Sequence, residues 1–75
     1  MISVLMDKLE ALDLARRELL RATQDVELWD HLHVDAGREF AHAVDLGRRA
    51  AMANVVRRLE ELVRAQAEVS PETEP

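Results

Sequence analysis

The sequence predicts an all-α fold: a long antiparallel helical hairpin that dimerises into a four-helix bundle. Two long segments carry apolar residues every three or four positions, which is the period of an α-helix. The 75 residues include one Trp, one Phe and no Tyr, so there are too few aromatic residues for a typical sheet. A chain of this length buries only about 60% of the surface of its unfolded form, and oligomerisation is a common remedy.

The first predicted helix starts near Ser3, a plausible N-cap, and carries a heptad-like apolar stripe. The stripe consists of Leu5, Leu9, Leu12, Ala15, Leu19, Ala22, Val26 and Trp29. Thr23 and Asp25 favour caps over helix interiors, so a break near Thr23 would give a three-helix variant. We expect one continuous helix, because the stripe keeps its register through this region.

Residues 33–37 are predicted to form the turn, with Asp35 as the N-cap of the second helix. A short connection makes the two helices antiparallel neighbours. From the helical rise, we expect opposing residues to have numbers that sum to about 70. Trp29 would then meet Phe40, and Ala22 would lie beside Gly47.

The second predicted helix, residues 38–69, carries an apolar stripe that is wider than one neighbouring helix can cover. Its main line comprises Phe40, Val44, Gly47, Ala51, Val55, Leu59, Leu62 and Val69. Met52, Val56 and Val63 widen this line on one side. We therefore expect an interface with a second chain. The residues predicted to form it are Trp29, Phe40, Met52, Val56, Leu59 and Val63.

Residues 1–69 are expected to form one domain, and the acidic tail 70–75, which has no apolar residue, is expected to be disordered. The formal net charge of −5 argues against nucleic-acid binding, which usually needs a basic face. No apolar run approaches the roughly 18 residues of a membrane helix. Because the first residues lack the features of a signal peptide, we expect a cytoplasmic protein.

These features favour a non-enzymatic protein–protein interaction module: an adaptor, assembly factor or regulator. We expect a homodimer or higher oligomer that binds a further, unidentified protein. No serine or threonine is placed as a nucleophile, and there is no glycine-rich phosphate loop. The sequence therefore predicts neither an enzyme nor a cofactor.

Two alternatives remain open. Glu39 and His42 have the Glu-x-x-His spacing that ferritin-like di-iron bundles use, and a second carboxylate could come from Glu27 or Asp30. That alternative is a metal-binding bundle, in which another chain would have to cover Glu39 and His42. The other is an acidic inhibitor that mimics nucleic acid, although the arginines interleaved with the acids argue against it.

Overall fold

The structure, a computed structural model, describes the backbone of residues 2–35 and 37–69 and the side chains of residues 4–32 and 37–69. Helix α1 spans Ile2–Asp35 and helix α2 spans Arg38–Val69. The two helices pack against each other as a hairpin. The predicted all-α hairpin is therefore confirmed, whereas the predicted disordered tail, residues 70–75, lies outside the described residues.

Helix α1 is continuous through Thr23, so the three-helix variant is not formed. The Thr23 hydroxyl donates a hydrogen bond of 2.7 Å to the carbonyl oxygen of Leu20. A threonine in a helix interior commonly satisfies its hydroxyl on a preceding carbonyl in this way. The neighbouring Ala22 is 1% exposed, which shows that this part of α1 is held against α2.

The connection between the helices is shorter than the sequence predicts. Helix α1 continues through residues 33–35, which leaves only residues 36 and 37 between α1 and α2. The predicted N-cap, Asp35, thus belongs to the last turn of α1, and Gly37 immediately precedes α2. The Phe40 amide donates to the Gly37 carbonyl over 3.1 Å, a tight i→i+3 bond at the start of α2.

The hairpin is held by one seam, in which buried or half-buried residues alternate at spacings of four and three. This is the pattern of a two-stranded coiled coil. On α1 the seam comprises Lys8, Leu12, Ala15, Leu19, Ala22, Val26 and Trp29. On α2 it comprises Val44, Arg48, Ala51, Val55, Arg58, Leu62, Ala65 and Val69. Most of the predicted α1 stripe therefore faces α2, but the predicted α2 stripe divides between the seam and the outside.

The register differs from the expected one. Trp29 lies over Gly47, Asp30 pairs with Arg48, and Glu18 lies near Arg58, so opposed residue numbers add up to 76 or 78. The later turn accounts for part of this offset. The rest follows from side-chain direction, because side chains lean toward the N-terminus of their own helix. In this hairpin α1 side chains lean away from the turn and α2 side chains lean toward it, which raises the sum.

The folded chain is a single layer of two helices. Its principal extents are 56 × 24 × 13 Å, and the shortest is close to the diameter of one helix, about 10–12 Å with side chains. Neither described helix contains a stretch long and apolar enough to cross a lipid bilayer.

Candidate interaction face

A second apolar stripe on α2 lies beside the seam, about a quarter of a turn around the helix axis. Its members follow the same four-three-four spacing as the seam and lie within about 60° of one another around the helix axis. We call it the outer stripe: Met52, Val56, Leu59 and Val63. Their exposed fractions range from 46% to 62%. The prediction that α1 cannot cover the whole apolar width of α2 is therefore confirmed.

An open groove of about 510 Å³ borders the outer stripe at the end nearer the turn. Almost all of the exposed surface that lines the groove belongs to apolar atoms. The groove is lined by Thr23, Val26 and Glu27 of α1 and by Met52, Ala53, Val55 and Val56 of α2. The outer stripe and this side of α1 thus form one continuous face, which we call the outer face.

Trp29 and Phe40, which the sequence assigned to the interface, lie apart from the outer stripe. A Cβ atom placed on Gly47 would be 2.6 Å from both Cζ2 and Cζ3 of Trp29, so the indole ring lies directly on the α2 backbone. Gly47 therefore accommodates Trp29, and not Ala22 as the sequence register predicted. Phe40, in the first turns of α2, is 63% exposed.

Arginines occupy two seam positions of α2. Arg48 Nε donates to Asp30 Oδ1 across the hairpin at 2.5 Å. Arg58 donates to Glu61 at 2.9 Å and has Glu18 of α1 at 3.9 Å. Neither arginine belongs to the apolar stripes described from the sequence, and the seam position of Arg58 was not predicted. The seven-residue steps from Val44 to Ala51 and from Ala51 to residue 58 were the signal that could have found it.

Asp13 and Arg17 form an i,i+4 ion pair at 2.6 Å on the outside of α1, where Arg16 is also exposed. Asp45 and Arg49 pair in the same way at 3.0 Å. Acidic and basic side chains therefore alternate and pair along the outside of both helices. The surface is mixed in charge, and exposed pairs of this kind contribute little to stability.

The candidate metal ligands Glu39 and His42 are both exposed, near the start of α2. Among the side chains that the structure describes, no three His, Cys, Asp or Glu residues are grouped closely enough to hold a metal ion. Of the two other carboxylates considered from the sequence, Glu27 lines the groove and Asp30 is engaged with Arg48. The metal site stays a prediction that would need ligands from a second chain.

Comparison of the chain with protein-family models, with curated proteins and with solved structures gave no match.

Proposed function

We propose that the chain is a non-enzymatic helical interaction module whose binding surface is the outer face. Its first partner is a second copy of the same chain, and the two hairpins form a four-helix bundle. The observation that carries this proposal is the outer stripe itself: four large apolar side chains at coiled-coil spacing, all exposed. In the cell such a dimer would act as an adaptor, assembly factor or regulator of another protein.

The surface area supports self-association. The chain exposes 6180 Å², whereas a compact monomer of 8.5 kDa exposes about 4,700 Å². The excess of roughly 1,500 Å² counts every residue of the chain, the tail 70–75 among them, and compares with the roughly 800 Å² that each partner buries in an interface of standard size. Pairing through the outer face would therefore bring the exposed area toward the value typical of a folded protein.

The thickness of the hairpin supports the same proposal. Folded domains are built from at least two packed layers, because each apolar face must be covered by another element. The hairpin is only 13 Å thick, so it supplies one layer. A second hairpin on the outer face would supply the other layer and enclose the outer stripe in a core.

The mass of the chain in solution tests this proposal, together with a matched pair of substitutions. Val56 in the outer stripe is 57% exposed and Leu28, on the other side of the hairpin, is 58% exposed. In an isolated hairpin, lysine at either position is a surface change worth less than about 0.5 kcal/mol. In the proposed dimer only Val56→Lys places a charge in the interface.

We expect light scattering to give twice the chain mass of 8.5 kDa for the natural sequence and for Leu28→Lys. Val56→Lys should raise the dissociation constant at least tenfold, or about 1.4 kcal/mol, while circular dichroism stays helical. A natural chain that remains monomeric at every concentration contradicts the proposal. So does a Val56→Lys variant that dimerises as tightly as Leu28→Lys.

A further inference from the structure

The groove lies beside one half of the outer stripe. The half nearer the turn, Met52 and Val56, forms one wall of the groove, and Thr23 and Glu27 contribute to the opposite wall. The half nearer the open end of the hairpin presents Leu59 and Val63, of which Val63 is 62% exposed. A groove therefore borders one end of the stripe, and the other end carries two exposed apolar side chains.

We propose that two copies pair with their α2 helices antiparallel, so that Leu59 and Val63 of each copy fill the groove of the other. This inference rests on the proposed self-association and adds the arrangement of the two copies. It identifies the occupant of the groove as a segment of the same chain. The groove is incomplete without it, because its apolar walls are open to solvent on the outer side.

Symmetry favours the antiparallel arrangement. In a two-fold dimer, each residue of one copy meets a residue that meets it in return. A two-fold axis perpendicular to α2 brings the Leu59–Val63 half of one copy onto the groove of the other, twice. An axis parallel to α2 would instead place groove against groove. That arrangement leaves two unfilled spaces, contrary to the close packing of protein interiors.

The residue spacing fits the same axis. The outer stripe reads four-three-four in both directions, so an axis between residues 57 and 58 opposes Met52 to Val63 and Val56 to Leu59 in both copies. Each opposed pair then combines side chains from the two ends of the stripe. Apolar positions meet only apolar positions, as in the core of an antiparallel coiled coil.

The residues just beyond the two ends of the outer stripe also favour the antiparallel arrangement. One turn beyond the outer stripe, the same side of α2 continues with Arg49 at one end and Gln66 at the other. The antiparallel arrangement opposes Arg49 to Gln66. A parallel arrangement in register would oppose Arg49 to the Arg49 of the second copy; the repulsion between them is unfavourable, although the pairing of each with Asp45 of its own chain reduces it.

Engineered cysteines test the arrangement, because the natural chain has no cysteine. Met52→Cys and Val63→Cys are prepared separately, one with a mass tag, and are unfolded, mixed and refolded before mild oxidation. Antiparallel copies bring residue 52 next to residue 63, whereas two copies of residue 52 are about 16 Å apart along the axis. A disulfide needs Cα atoms within about 7 Å.

We expect the mixture to give a tagged–untagged disulfide dimer with a yield at least about tenfold above that of either variant alone. Leu28→Cys serves as the control that forms no disulfide with any of them. Light scattering on the reduced samples reports association independently of the cross-link.

A dimeric mass with the mixed disulfide supports the inference. A dimeric mass in which Met52→Cys or Val63→Cys cross-links to itself, or in which the mixture gives no disulfide, overturns the arrangement and leaves the proposed self-association standing. A monomeric mass for the reduced samples and the natural chain overturns both.

Discussion

Helix α2 carries two stripes with the same spacing and opposite environments. The seam stripe, which packs on α1, includes Ala51, Arg48 and Arg58, whereas the outer stripe consists entirely of larger apolar side chains and is exposed. The more hydrophobic stripe is thus the one that α1 does not cover. Small residues allow two helices to approach closely, as Gly47 shows beneath Trp29. The close contact at Gly47 therefore shows that side-chain size, as well as hydrophobicity, contributes to the packing of α2 on α1.

The largest difference in stability between the two stripes is expected when one leucine in each is replaced by alanine. Leu12 is 6% exposed in the seam, and Leu12→Ala should lower the free energy of unfolding by about 2–3 kcal/mol, since a buried leucine leaves a cavity. We expect this loss at every protein concentration at which the hairpin is folded. Urea unfolding, followed by the fluorescence of the single Trp, measures it.

Leu59→Ala is the matched change in the outer stripe. If this side chain packs only on a second copy, its cost should grow with protein concentration and fall toward zero at high dilution. If Leu59→Ala instead lowered the free energy of unfolding as much as Leu12→Ala at every protein concentration, both leucines would pack within one chain.

An intermediate loss of stability is expected at Gly47, where the absence of a side chain lets the two helices approach closely. Gly→Ala in a helix interior normally stabilises by about 1 kcal/mol. At Gly47 the new methyl group would meet the indole of Trp29, and overpacking costs about 1–3 kcal/mol, so we expect a net loss of about 1 kcal/mol.

The double-mutant cycle gives the control for that substitution. In a Trp29→Ala background the same Gly47→Ala change should stabilise by about 1 kcal/mol, because the space is free and only helix propensity acts. The same sign in both backgrounds would contradict the close contact between Trp29 and the α2 backbone. Thermal unfolding by circular dichroism suits all four chains, including those without Trp.

The smallest loss of stability is expected when the ion pair between Asp30 and Arg48 is removed. The side chains of Arg48 and Asp30 are 38% and 51% exposed, so Asp30→Asn should cost less than about 1 kcal/mol. The difference should shrink further in about 1 M salt, where the screening length is about 3 Å. A loss above about 2 kcal/mol that salt leaves unchanged would mark the pair as an essential part of the seam.

Much of the fold could be predicted from periodicity. The α1 stripe through Leu12, Leu19 and Val26 keeps its register past Thr23, and the structure confirms one continuous helix there. The turn was placed too early, because Asp35 is a good N-cap and no proline marks the boundary. Helical capping preferences contribute about 1 kcal/mol, and one more turn of packed helix can outweigh that preference.

The candidate site was predictable in part. The excess apolar width of α2 named Met52, Val56 and Val63, the predicted interface also included Leu59, and all four are exposed. The groove beside Met52 was not predictable, because it depends on which side chains of α1 stand opposite. The seam position of Arg58 was missed because a charged residue interrupts an apolar pattern.

The sequence alone determined that this chain forms two long helices and that α2 carries more apolar positions than one neighbour can cover. Both follow from spacing along the chain, which is a local property. Only the tertiary structure decided that Trp29 lies on Gly47, that Asp30 reaches Arg48, and that a groove opens beside Met52. These depend on the length of the turn and on the direction in which side chains lean, which together raise the sum of opposed residue numbers from the expected value of about 70 to 76 or 78.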